Sequence, residues 1–306
     1  MCDNDRAVMV WWRPGVVLAV VVLFVNSSIC WGQEVSSLQW AIRTEGALVS
    51  AIAKAEPSVV ALARVRTALA RPIRREPLGG PIFPRVRHLA RPQPGDPNFV
   101  PDEFATAVVI DAKGLLLTNY HALGDLNDAE AEYQYYVTTK DRRTYRAEIV
   151  AADPRSDLAV LKIAPTRRLT PIVMGSAAGL RKGRMVITLG NPYAIARDGQ
   201  ASASLGIVAN IARKAGSLPS PRYSESKPTL HHFGTLIQTD AKLSLGTSGG
   251  PLLNLKDEMI GLTTSVAALV GYEKSSGYAV PVDETFRRIV KALSNGQEIE
   301  YGFLGI

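Results

Sequence analysis

The chain has 306 residues, of which 46% are hydrophobic, 21% charged and 7% aromatic. Those proportions exclude disorder and collagen-like repeats, and the length suffices to bury one large core or two smaller ones without metal or disulfide staples. The formal net charge is +7, and the two cysteines, Cys2 and Cys30, leave no thiol further along for a bridge, a zinc cluster or a nucleophile.

In chain order, Arg6 and Arg13 precede an apolar run at residues 15–25, which gives way to Asn26-Ser27-Ser28 and to small residues at Cys30 and Gly32. This is the layout of a secretory signal over residues 1–32, because the run is shorter than the roughly 20 apolar residues a bilayer requires. The alternative is an uncleaved membrane tether. Either one places the working protein in the periplasm or outside the cell. Residues 33–57 then read as an N-terminal helical segment: Ser36 with Gln39 resembles a capping box, Leu38, Ile42, Leu48 and Ile52 share a face, and Pro57 ends it. A strand pattern follows at 58–66.

Residues 67–101 hold eight of the nineteen prolines and no apolar period, which predicts a long loop. Between residues 64 and 95, eight arginines against Glu76 give +7, equal to the charge of the whole chain, so the remainder reads as nearly neutral. The loop is either a solvated linker or a contact with an anionic surface. Beyond Pro101 come short apolar runs rich in β-branched residues at 105–110, 115–118, 146–152, 158–163, 185–189, 201–209, 235–239, 251–255, 259–264 and 278–282. Turn residues separate them, which predicts an all-β barrel or sandwich. A second exposed loop is expected at 213–232. A C-terminal helix capped by Asp283 carries Phe286, Ile289, Val290 and Leu293 and stops at Asn295-Gly296.

The string Gly246-Thr247-Ser248-Gly249-Gly250-Pro251 sets a hydroxyl among glycines, where bare backbone N–H groups can form an oxyanion hole beside a nucleophile. It also fits the nucleophile elbow of α/β-hydrolases, in which the acid and the histidine follow the serine. Here His88, His121, His231 and His232 all precede Ser248, which removes that reading. His121 stands just past an apolar strand. Asp157 opens another, where an unpartnered carboxylate would cost several kcal/mol to bury and an imidazole N–H is a suitable partner. The order His121, Asp157, Ser248 is that of chymotrypsin-like enzymes and differs from that of subtilisins. His88, His231 and His232 fall in the expected loops.

The strings L-T-N-Y-H, S-D-L-A-V-L-K-I, T-L-G-N-P-Y, L-G-I-V, Q-T-D-A, G-T-S-G-G-P-L-L-N and G-Y-A-V-P, in this order, resemble the trypsin-like serine proteases of the high-temperature-requirement (HtrA/DegP) family over roughly residues 45 to 300. The resemblance implies a chymotrypsin-type double six-stranded β-barrel over 58–300. It also implies cleavage of unfolded or damaged envelope proteins without a cofactor or metal, and homotrimers. By the same resemblance Ser248 is the nucleophile, His121 the base, Asp157 its orienting partner, and the N–H groups of Gly246 and Ser248 the oxyanion hole. Leu243 and Val266 correspond to the pocket wall, which implies preference for small to medium aliphatic residues before the scissile bond. Lys242, where trypsin-type enzymes carry an aspartate, implies that basic residues are not selected. The chain departs from the family at Ala105-Thr106-Ala107, usually Gly-Ser-Gly, at Thr247, usually Asn, and at Lys242-Leu243-Ser244-Leu245. Residues 301–306 read as the first strand of a PDZ domain that the chain does not complete. No specific nucleic-acid contact is expected. The competing reading is a proteolytically silent binder of unfolded polypeptides.

Overall fold

A computed structural model of the protein describes residues 37–66, 96, 99, 101, 103–124, 126, 133–191, 200–213, 235–264 and 277–301. The expected signal at 1–32, the capping residue Ser36, His88, His231, His232, Val266, nearly all of loop 67–101, most of loop 213–232 and residues 302–306 lie outside them.

Twelve strands form two closed antiparallel barrels of six. The first comprises β1 (Val59–Arg66), β2 (Glu103–Val109), β3 (Leu115–Asn119), β4 (Tyr133–Thr138), β5 (Thr144–Asp153) and β6 (Leu158–Lys162), joined in the order β1-β2-β3-β6-β5-β4. The second comprises β7 (Met185–Gly190), β8 (Ser202–Arg213), β9 (Leu236–Thr239), β10 (Pro251–Leu253), β11 (Met259–Thr264) and β12 (Gly277–Pro281), in the order β10-β11-β12-β9-β8-β7. Helix α1 (Ser37–Ala55) precedes them and α2 (Glu284–Ser294) follows, the latter capped by Asp283, which accepts from the N–H of Phe286 at 2.8 Å.

Several of these strands read as unbroken apolar runs because alternate residues serve two cores. Ala159 and Leu161 of β6 point into the first barrel with Ala105, Ala107, Val109 and Leu116. Leu158 and Val160 instead join Val59, Val108 and Leu117 in a core shared with the second barrel's Ile187, Leu189, Leu253, Met259 and Leu262. Phe286, Ile289 and Leu293 of α2 enter the same shared core, and α2 packs on β5 and β6 although it follows the second barrel in sequence.

Three local differences from the sequence reading have physical causes. Strand β4, Tyr133-Gln-Tyr-Tyr-Val-Thr138, was not among the expected runs. Its inward face is Tyr133, Tyr135 and Val137, and the buried Tyr135 hydroxyl donates to Leu123 O at 2.8 Å, so tyrosines carry an apolar face that a search for aliphatics passes over. Leu38 and Ile42 do not share a buried face with Leu48 and Ile52: they are 68% and 55% exposed, and only the second half of α1 meets the core. Arg64 is not loop charge. It lies in β1 at 6% exposure, against the Tyr133 ring and paired with Glu103.

Candidate active site

Strand β3 ends at Asn119 and the chain turns through one 3-10 turn, Tyr120–Leu123, which lifts His121 to the surface of the first barrel. Gly124 closes this turn at φ +83, its N–H donating to His121 O at 3.2 Å, and any Cβ there would strike the Arg64 guanidinium. The neighbouring strand β6 starts after Asp157, which is 1% exposed and held at φ +57. A non-glycine residue keeps that left-handed backbone only when its surroundings over-determine it. Here they do: Asp157 O accepts from Tyr120 N at 3.0 Å and from Asn119 Nδ2 at 3.3 Å. Its carboxylate accepts from the backbone N–H of His121 at 3.0 Å and from Thr264 Oγ1 at 3.2 Å.

The His121 ring presents Nδ1 to both carboxylate oxygens of Asp157, at 3.0 and 2.9 Å. An ionised carboxylate only accepts, so the proton sits on Nδ1 and the neutral ring keeps a lone pair on Nε2. Desolvation pulls the His121 pKa down, but the charge and hydrogen bond of Asp157 outweigh it, with Arg64 opposing, and the pKa stands above its ordinary value.

Ser248 sits between β9 and β10, on a turn shaped by Gly246 at φ +95 and Gly249 at φ +83. Neither glycine admits a side chain. A Cβ on Gly246 would lie 2.4 Å from Asn191 O, and one on Gly249 would lie 2.1 Å from Thr106 O. The turn is bound to both barrels. Thr106 of β2 donates its N–H to Ser248 O at 2.8 Å and its hydroxyl to Gly246 O at 2.7 Å, while accepting from Asn191 N at 2.8 Å. Thr118 of β3 braces Thr106 O at 2.7 Å. From the second barrel, Thr263 Oγ1 donates to Thr247 O at 2.7 Å, and Gly249 N donates to Thr263 O at 2.9 Å. Among the described residues the N–H groups of Gly246 and Ser248 donate to no protein acceptor.

Of the three residues singled out, then, Asp157 and His121 are joined directly. Ser248 meets them through β11, whose Thr263 holds the serine turn while the next residue, Thr264, reaches Asp157. No hydrogen bond links Ser248 to the imidazole. Leu243 is half-buried and leans on β12, its Cδ1 2.7 Å from the point a Cβ on Gly277 would occupy, so the absence of a side chain at Gly277 makes room for it. Sequence reasoning missed the positioning parts: Thr264, which stood only as the last residue of the run 259–264, Thr106, which stood out only as a departure, and Arg64, which was counted as loop charge.

Residues 105–262 match the family model of the trypsin-like peptidase domain. The chain is 34% identical over 215 residues to the periplasmic pH-dependent serine endoprotease DegQ of Escherichia coli, covering 70% of this chain and 42% of that protein. It is 31% identical over 226 residues to a probable periplasmic serine endoprotease, DegP-like, of Chlamydia trachomatis, covering 73% and 39%. Among solved structures, that of Deg5 superimposes with a TM-score of 0.57 at 26% identity, covering 83% of this chain and 97% of that one. The chain thus spans about two fifths of the length of these two curated relatives. With two six-stranded barrels, a domain match over more than half its length and these relatives, the chain belongs to the trypsin-like serine peptidases of the HtrA/DegP family.

Proposed function

We propose that this chain is a serine endopeptidase of the cell envelope that cleaves unfolded or damaged polypeptides through Ser248, His121 and Asp157. The observation that carries the reading is the buried Asp157 carboxylate gripping both the ring Nδ1 and the backbone N–H of His121. That arrangement fixes the tautomer with a basic Nε2. In the reaction, Nε2 takes the Ser248 proton as Oγ attacks the peptide carbonyl, and the imidazolium then gives that proton to the leaving amine. Water repeats the sequence on the acyl-enzyme and returns the serine. The N–H groups of Gly246 and Ser248 receive the oxyanion, a role supported by their having no acceptor among the described residues. Leu243, and by the family resemblance Val266, set a preference for small to medium apolar side chains before the scissile bond and disfavour arginine and lysine.

The domain that does this spans 58–300. The periplasmic relatives support an envelope location. Leu38, Ile42 and Val49, exposed on one face of α1, support association with further copies in a homotrimer, since such an apolar stripe is costly to leave in water. One observation favours the alternative of a silent binder, the missing hydrogen bond between Ser248 and His121. Such bonds are often long without substrate and tighten in the complex. The test is a fluorophosphonate probe and casein hydrolysis. Wild type is labelled and active, whereas Ser248→Ala is folded by circular dichroism, unlabelled and inactive. Casein cleavage retained by that variant sinks the assignment.

A further inference from the structure

Strands β3 and β6 of the first barrel carry His121 and Asp157 at one end and a different cluster at the other. Their ladder runs from Asn119↔Leu158, beside His121 and Asp157, to Leu115↔Lys162, roughly 14 Å along the strands. At that far end lies a groove of about 600 Å³ whose walls carry Lys113, Arg146, Lys162, Arg167 and Arg168 against one carboxylate, Glu148. Its floor includes Ile163 and Pro165. Among the described residues none of the five cations has a carboxylate at ion-pair distance, and Glu148, Cα-paired with Lys162, makes no ion pair either. Lys162 Nζ donates to the backbone carbonyl of Lys113 at 2.7 Å, which fixes that ammonium at the groove.

Five like charges in one concavity repel each other, and an anion placed among them relieves that repulsion. Three guanidinium forks suit carboxylates held two hydrogen bonds at a time. The concave, partly apolar floor fits an extended chain better than a flat bilayer surface. We propose that this groove is an exosite for an acidic stretch of the polypeptide being cleaved. Cleavage of that polypeptide rests on the function proposed above, whereas its binding in the groove does not. Because the groove is remote from His121, an occupant leaves the cleft open, so it lowers KM and leaves kcat unchanged. A chain spans about 3.3 Å per residue, so that separation needs at least about four residues between the acidic stretch and the scissile bond, and a spacer of about ten leaves slack to follow the barrel surface.

The full chain carrying Ser248→Ala is titrated with a fluorescein-labelled peptide bearing hexaglutamate, and with a hexaserine control, by anisotropy. The acidic peptide binds more tightly. Adding Arg167→Glu and Arg168→Glu weakens it by about tenfold, and raised salt weakens it further. With the serine intact, two peptides share one aliphatic cleavage sequence and differ in hexaglutamate or hexaserine about ten residues away. The acidic one shows the lower KM at equal kcat, and the charge-reversed protein loses that difference while cleaving the serine peptide as before. Equal affinity for both peptides, or a preference that survives charge reversal, overturns the exosite. So does binding of polyphosphate or anionic phospholipid vesicles that charge reversal abolishes when the two peptides are not distinguished. If neither peptide is cleaved but the anisotropy difference holds, the peptidase reading fails and the groove stands.

Discussion

At His121 two opposing charges act on one proton. Asp157 favours the imidazolium and Arg64 disfavours it, and the carboxylate prevails because it is in direct hydrogen-bond contact while the guanidinium sits behind the turn. The base form is the one that accepts the Ser248 proton, so kcat/KM should fall as pH drops through a value above the ordinary 6.5. Asp157→Asn removes both raising causes. We expect its acid limb to move to lower pH, while turnover drops by about 10⁴ through loss of the correct tautomer. Rates measured from pH 5 to 9 on a small aliphatic substrate test this, and an unmoved limb would mean that Asp157 does not govern the base. The sign for stability is the reverse of that for activity. The folded pKa is raised, so the pair stabilises the fold below the unfolded value and that contribution is lost as pH rises through the folded one. Asp157 as a partnered buried carboxylate was legible from its place at the head of an apolar strand. Arg64 was not, because a sequence does not show which face of a strand meets which turn.

Among the elements, β2 holds the serine turn although it belongs to the other barrel. Thr106, fully buried, ties Gly246 O, Asn191 N and Ser248 O with one residue. Thr106→Val keeps the shape but strands Gly246 O and Asn191 N. Each stranded group costs about 1–3 kcal/mol, which predicts kcat lower by about ten- to hundredfold with KM little changed. Thr106→Ser keeps the hydroxyl and should restore kcat. Equal turnover for all three versions would show that the turn holds without this hydroxyl. The elements themselves were largely readable. β6, β7 and β11 begin where the apolar runs begin, and α2 starts at the expected cap. Ends were less so: β10 stops at Leu253 rather than residue 255, after a bulge that leads into a turn in which Asn254 Oδ1 accepts from Lys256 N and Glu258 N. β8 runs on to Arg213 through two irregularities in its register with β9.

For the whole molecule the decisive object is the core between the barrels, which draws on both and is closed by α2. Ile289, 1% exposed, lies in it. Ile289→Ala should cost about 2–5 kcal/mol and lower a single calorimetric transition, by about 2–4 °C per kcal/mol in a chain of this size. Two transitions with only one displaced would mean that the barrels unfold independently. Composition, eleven of the twelve strands and the order of His121, Asp157 and Ser248 were available from the residues alone, because period-2 burial and glycine-bounded turns are local. Chain-wide sums misled in one respect. A remainder that is neutral in total holds a groove with five cations and one carboxylate, since summation along the chain is blind to which charges a sheet brings together. Folding alone decided that Thr106 and Thr263, from different barrels, would hold one serine turn, and that Arg64 would stand behind His121. Those contacts depend on strand register and on how two closed barrels meet, and neither is written in any single segment.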